Sequence, residues 1–256
     1  MARGRLVSRA MVVGFVGSGS MAGAMARGWA GEFEEKLFSD SGSGRAEELA
    51  AQMEGEAVSN AEISRRADLV VLAVKPNRLE EVAPELMGAR EVVSVLAVTP
   101  LERLQAVLPG AEHILRVMPN VGVEVRKGVL CAAGTATDLV WMKMAVLGLI
   151  VEIEEADFDA ATAVMGCSPA YLALAAEAIA EAGIADGLDP ELARKLVTET
   201  AVGTAELLRR HDPIALRRAV ASPGGSTERG LEALEREGAR RAFAAAVEAS
   251  LERMRE

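Results

Sequence analysis

The feature that most constrains this chain is a glycine turn near its start. The apolar run Met11-Val12-Val13-Gly14-Phe15-Val16 leads directly into Gly17-Ser18-Gly19-Ser20-Met21-Ala22. This reads as a strand, a tight turn and the first turn of a helix, the opening of a dinucleotide-binding α/β unit. Gly17 permits the turn. Gly19 lets the backbone approach a pyrophosphate with no Cβ in the way, and Ala22 keeps helix and strand close. The helix N-terminus directs unpaired N–H groups at the phosphates. Gly17, Ser18, Gly19, Ser20 and Met21 are therefore the first cofactor-binding candidates.

From residue 11 to about 157, short β-type runs alternate with helical segments. Strands are expected at Val12–Val16, Lys36–Ser39, Asp68–Val74, Val92–Ala97, His113–Met118, Val129–Ala132 and, as an edge, Val151–Ile153. Helices are expected at 21–31, Arg45–Met53, Pro100–Leu108 and Leu139–Leu149. Such alternation predicts a Rossmann-type doubly wound parallel sheet. The strand pattern stops near residue 158, and an all-helical C-terminal domain over 158–256 follows. Its first helix, Tyr171–Ala182, is apolar around most of its circumference, so a partner subunit is the natural cover. Asp189-Pro190 caps a helix reaching about Arg210, another begins near Pro213, and a last helical region starts near Glu228. Residues 1–10 read as an N-terminal extension.

The formal charge is −10 with no Lys/Arg block. That excludes nucleic acid and anionic membranes as expected partners. The apolar stretch Leu139–Val151 contains Lys143 and is too short to span a bilayer. Cys131 and Cys167 have neither CxxC nor metal-ligand spacing, so no metal is expected and a reducing, cytoplasmic compartment is. His113 and His211 lack a spaced Ser, Cys or carboxylate partner and read as structural.

Ligands in this architecture lie at the carboxyl ends of parallel strands. Ala73-Val74-Lys75-Pro76 and Met118-Pro119-Asn120 occupy such ends, with Lys75 equally readable as a solvated lysine. The Asn120 amide offers donor and acceptor to a nicotinamide edge. Asp40 ends the second strand, where an acidic side chain bonds a ribose hydroxyl and favours NAD; yet Ser41 and Arg45 follow, groups suited to a 2′-phosphate. The balance narrowly favours NADP(H) over NAD(H). Ser222-Pro223-Gly224-Gly225-Ser226-Thr227 combines open backbone N–H groups with a helix start, the shape of an anion site; Ser226 or Thr227 as a plain N-cap is the alternative.

The chain resembles the pyrroline-5-carboxylate reductase family from residue 12 onward. The resemblance is carried by the Gly17–Ala22 turn, Ala73-Val74-Lys75-Pro76, Arg116-Val117-Met118-Pro119-Asn120, Pro169-Ala170-Tyr171 and Ser222–Thr227. Related 3-hydroxyacid dehydrogenases share only the first turn and need a helical lysine, and no lysine lies between Lys143 and Lys195. The resemblance implies a helical domain that forms a homodimer, with a higher oligomer of dimers open. It implies hydride transfer from NAD(P)H to the C=N carbon of a small cyclic imine carboxylate, 1-pyrroline-5-carboxylate, giving proline. The amides of Gly224, Gly225 and Ser226 would hold the substrate carboxylate, and the Thr227 hydroxyl would bond the ring nitrogen as the catalytic group. Met165 and Cys167 fall in the substrate region.

Three departures lie around that region. Where the family usually reads Ser-Gly-Ser-Gly-Pro-Ala-Tyr, this chain reads Met165-Gly166-Cys167-Ser168-Pro169-Ala170-Tyr171. Val121-Gly122 replaces Thr-Pro, and Ala97-Val98 replaces Ala-Gly. A reductase of a related cyclic imine or ketimine, or a non-catalytic cofactor-binding regulatory paralogue, remain alternatives on sequence.

Overall fold

The computed structural model describes residues 11–255; the extension expected at 1–10 lies outside them. The chain divides into two compact units, one ending at Gly166 and the other starting at Cys167.

In the first unit, β1 (Val12–Val16), β2 (Glu35–Ser39), β3 (Glu56–Ala57), β4 (Leu69–Leu72), β5 (Glu91–Ser94), β6 (His113–Pro119), β7 (Gly128–Gly134) and β8 (Gly148–Glu152) form one sheet. Their order is β3-β2-β1-β4-β5-β6-β7-β8. Helices α1 (Ser20–Gly28), α2 (Arg45–Met53), α3 (Asn60–Arg66), α4 (Leu79–Val82), α5 (Leu101–Val107), α6 (Asp138–Leu147) and α7 (Phe158–Ala161) connect or flank the strands.

Strands buried on both faces explain the sequence pattern: every residue of β4 and β5 is buried. Because side chains alternate, β1 sends Val13 and Phe15 into one core and Val16 into the other. The first core joins Phe15, stacked on Phe38 at 5.2 Å, with Trp29 of the α1 end and Val140 and Met144 of α6. The second packs Ile63, Leu79, Leu86 and Leu104 beneath the opposite face. A fully buried phenylalanine contributes on the order of 2–3 kcal/mol. Between the layers contact is tight at Gly14, where a Cβ would stand 2.3 Å from Ile63 Cγ2.

The sheet is not wholly parallel. β7 runs antiparallel to β6, and β8 then runs parallel to β7. The reason is connection length. A parallel return needs a crossover of a dozen or more residues, whereas β6 and β7 are joined only by the short turn around Val121–Val125. The sequence reading missed β3, which has two residues, and α3. Yet α3 opens on Ser59-Asn60-Ala61-Glu62, and the Ser59 hydroxyl accepts from the Glu62 amide at 3.2 Å.

The second unit contains α8 (Ser168–Ala185), α9 (Pro190–Leu208), α10 (Pro213–Val220), α11 (Ser226–Arg236) and α12 (Ala239–Arg255). The expected Asp189 cap forms, with Oδ1 accepting from the Glu191 and Leu192 amides at 3.0 Å each. Asp212 caps α10 in the same way. The last helical region, expected from about Glu228, consists of two helices separated at Gly238, which holds φ +81°. α8 is tied to α12 through the Tyr171 hydroxyl, 2.6 Å from Ser250 Oγ. Leu172, Leu174 and Ile179 of α8 are more than 60% exposed. The stretch Glu155–Ala185 is long and apolar enough, by length and composition alone, to cross a membrane. Within that stretch α8 has only Glu177 and Glu181 as charges.

Candidate active site

The strand order reverses at β1, whose neighbours are β2 and β4. Chains leaving these ends diverge and open a crevice. A groove of about 670 Å³ lies there, lined by Gly17, Ser18, Gly19, Asp40, Ser41, Arg45, Ala73, Val74 and Lys75 among others. Nine of the sequence candidates thus meet around one groove. Gly17 holds φ +99°, and a Cβ on it would lie 2.7 Å from the Ala73 carbonyl, so the turn requires glycine. Gly19 faces open space, with nothing within 4 Å of its Cβ position. It is the N-cap of α1 and supplies no side-chain cap, leaving the first helical N–H groups unpaired. Room above Gly19 and bare helical amides fit a dinucleotide pyrophosphate.

Other candidates take different places. Ser18 is buried, and its hydroxyl donates to the Ser39 carbonyl at 3.0 Å, so it braces the turn. Ser20 lines a neighbouring hollow with Gly19, Arg27 and Arg45. Met21 is partly buried against the core that contains Phe15 and Trp29. Pro76 starts a 3-10 turn, Pro76–Arg78, rather than facing the groove.

Asp40 does not extend into the groove as a free acceptor. Its Oδ1 accepts from the Gly42 amide at 2.7 Å, and its Oδ2 from Ser43 Oγ at 2.6 Å and the Arg45 and Ala46 amides at 2.8 and 3.2 Å. The carboxylate therefore caps α2 and shapes the 41–45 loop. The Ser43 hydroxyl first, then these amides, hold its carboxyl at about 2, well below its ordinary value of 3.8. Gly42 and Gly44, at φ +86° and +81°, let the loop curl back onto it. Arg45 and Lys75 line the groove exposed, and neither forms a salt bridge among the described residues.

Sequence reasoning missed Ser59, Asn60, Asn77 and Arg78, which also line the groove. Ser39 Oγ bonds Asn60 Oδ1 at 2.6 Å, joining β2 to α3. Arg78 pairs with Glu81, and its buried Nε has no hydrogen-bond partner. The Ser59–Glu62 capping signal would have placed the first two of these at a strand end.

Asn120 is committed to the protein backbone. Its Oδ1 accepts from the Gly122 and Val129 amides at 3.2 and 3.1 Å, and its Nδ2 donates to the Met165 carbonyl at 3.1 Å. One of these bonds follows from a departure already noted: proline at 122 has no N–H to give, glycine does. Met165 lies in a π-helical turn, Thr162–Gly166, which Asn120 ties to the end of β6. Val98 stands at the end of β5 with φ +51°, half exposed. A β-branched residue there carries strain that glycine would not.

In the helical unit, Gly225 is the N-cap of α11, so neither Ser226 nor Thr227 is a plain cap. Gly224 holds φ +72°. Its amide donates to Glu228 Oε2 at 2.7 Å, and the Gly225 amide donates to the Ser222 carbonyl at 2.9 Å. Of the three amides expected to be open, only that of Ser226 is without a partner among the described residues; the Thr227 amide is open beside it, and the Thr227 side chain is exposed. Cys167 is half-buried at the start of α8, and both cysteines are free.

Comparison with known proteins follows the same division. A profile described as pyrroline-5-carboxylate reductase dimerisation matches residues 155–256, and one described as NADP oxidoreductase, coenzyme F420-dependent, matches residues 12–98. Pyrroline-5-carboxylate reductase 3 of Macaca fascicularis is 36% identical, over 95% of this chain and 95% of its own length. The solved 1-pyrroline-5-carboxylate reductase of Streptococcus pyogenes is 30% identical, with a TM-score of 0.84 over 96% of this chain and 98% of that one. Pyrroline carboxylate reductase of Plasmodium falciparum, solved with NADP bound, is 29% identical, with a TM-score of 0.83 over 95% and 97% of the two chains. With a relative of this name 36% identical over 95% of the chain and the dimerisation profile matching residues 155–256, the chain belongs to the pyrroline-5-carboxylate reductase family.

Proposed function

We propose that this protein reduces the cyclic imine 1-pyrroline-5-carboxylate to proline, with NADPH preferred over NADH. One observation carries the reading: a member of this family keeps an open dinucleotide cradle at Gly17–Gly19. The reduced nicotinamide, when bound, supplies the hydride that the imine carbon accepts. The α1 amides hold the pyrophosphate, and Arg45, free of any carboxylate, takes the 2′-phosphate. The Ser226 and Thr227 amides hold the substrate carboxylate, while the Thr227 hydroxyl hydrogen-bonds the ring nitrogen. An iminium is already electrophilic, so the protein's task is to orient it and steady its charge. The exposed leucines of α8 are read as the homodimer surface, and the two free cysteines support a cytoplasmic setting.

Imine-dependent oxidation of NADPH, with NADH in parallel, tests this directly. Thr227→Ala is expected to lower kcat about ten- to a hundredfold, from a lost hydrogen bond of roughly 1–3 kcal/mol, with cofactor affinity kept. Thr227→Ser retains most activity. Wild-type turnover in Thr227→Ala rules out this placement. Met165, Cys167 and Ser168 favour a second reading, reduction of a related cyclic imine, which a six-membered imine substrate run alongside would reveal.

A further inference from the structure

We propose that Glu228 is a specificity-determining residue, an internal carboxylate seated where the substrate's carboxylate is to bind. The inference rests on the function proposed above and concerns the same loop. The Ser222–Thr227 turn presents backbone amides at the start of α11, an eleven-residue helix. Glu228 is the third residue of that helix, and its side chain folds back past the N-cap. Oε2 accepts from the Gly224 amide at 2.7 Å, a short, charge-assisted bond. Gly224 can offer that amide because its φ of +72° turns the backbone toward the helix start.

The ordinary capping box has the third residue bonding the amide of the N-cap itself. Here the N-cap is Gly225, and its amide is occupied by Ser222. Glu228 instead reaches one residue further, into the turn. No salt bridge neutralises Glu228 among the described residues; Arg229 beside it pairs with Glu232, and Arg217 pairs with Glu235. A full negative charge therefore stands on the loop, favoured by the helix N-terminus.

A substrate carboxylate has two ways to arrive. It displaces Glu228 from the Gly224 amide, or it docks on the Ser226 and Thr227 amides with Glu228 as a like-charged neighbour. Both weaken binding of an anionic imine, the first by competition and the second by repulsion. Neither weakens binding of a ring without a carboxylate, whose iminium charge is opposite in sign to that of Glu228. The loop is thus set to narrow the preference for carboxylate-bearing imines over carboxylate-free ones, a preference that bare amides would enlarge.

The test compares 1-pyrroline-5-carboxylate with unsubstituted 1-pyrroline, both with saturating NADPH, in wild type and Glu228→Gln. Glutamine keeps an oxygen that accepts from the Gly224 amide and removes only the charge, so thermal stability is expected to hold. The KM for the carboxylate imine is expected to fall about tenfold, equivalent to ~1.4 kcal/mol, with the KM for 1-pyrroline not lowered. Proline, as a product inhibitor, is expected to bind about tenfold tighter to the variant. Glu228→Ala, which removes charge and cap together, runs alongside and is expected to show the same split. An unchanged or raised KM for the carboxylate imine, or an equal fall for both imines, overturns the inference and leaves the proposed function standing. A wild-type protein that reduces neither imine overturns both.

Discussion

Replacing Asp40 with asparagine decides what the carboxylate at the end of β2 is for. Four donors converge on it: Gly42 on Oδ1, and Ser43, Arg45 and Ala46 on Oδ2. Asparagine has one acceptor oxygen. Placed at the Oδ2 position it keeps three bonds, but its NH2 group then confronts the Gly42 amide. The variant loses one bond to a charged acceptor and the negative charge at the start of α2. The first is worth roughly 1.5–3 kcal/mol and the second about 0.3–1 kcal/mol, both reduced by solvent at this partly exposed position. A net loss of about 1–2 kcal/mol follows, or roughly 2–8 °C for a chain of this size. The pH dependence has a definite sign. The folded carboxyl ionises at about 2 and the free one at 3.8. Its stabilisation is therefore complete above the unfolded value and fades as pH falls from 3.8 toward 2. Urea unfolding of both proteins should show a gap at pH 7 that closes across that window. The cofactor assay adds a second arm. A loosened 41–45 loop raises the KM of NADPH and NADH together. If Asp40→Asn leaves stability unchanged and raises the KM of NADH alone, Asp40 is a ribose ligand and the argument fails.

Two further outcomes follow from neighbouring features. Arg45→Ala is expected to raise the KM of NADPH about tenfold while leaving that of NADH within twofold, measured by initial rates; equal effects on both would remove Arg45 from the 2′-phosphate. Val98→Asn relieves a left-handed β-branched residue and is expected to stabilise the protein by ~0.5–1 kcal/mol in denaturant titration, asparagine being the side chain that tolerates φ near +51° best after glycine.

Much of the fold was legible because periodicity and caps act locally. β1 and α2 fall at the residues expected, Val12–Val16 and Arg45–Met53, and Asp189-Pro190 marks the start of α9. Continuous apolar runs predicted the central strands because these are buried on both faces. What failed was strand direction. A run such as Val129–Ala132 looks the same whichever way it pairs, and only the brevity of the preceding connection makes β7 antiparallel. The division of the last helical region at Gly238 was equally hidden, since a glycine inside a helical pattern does not announce a positive φ.

At the site, the glycine turn and the strand ends were legible as places, while the allegiance of individual polar side chains was not. Asp40, Asn120 and Glu228 share one reason. Each precedes or follows a glycine whose backbone turns an N–H toward it: Gly42, Gly122 and Gly224. Aspartate or asparagine two residues before a glycine is the pattern of an Asx turn, and that pattern was present in Asp40-Ser41-Gly42 and Asn120-Val121-Gly122. Weighing it against the ligand-facing alternative would have assigned both side chains to the backbone. The consequence is chemical. With the Asp40 carboxylate engaged by four donors around its own loop, the groove-lining cations without a salt bridge among the described residues are Arg45 and Lys75, while Glu81, paired with Arg78, and Glu85 line the groove too. On the function proposed above, the Arg45 guanidinium is then the charged group of that loop offered to a 2′-phosphate, and the Asp40 carboxylate is the brace that shapes the loop rather than a bond to a ribose hydroxyl.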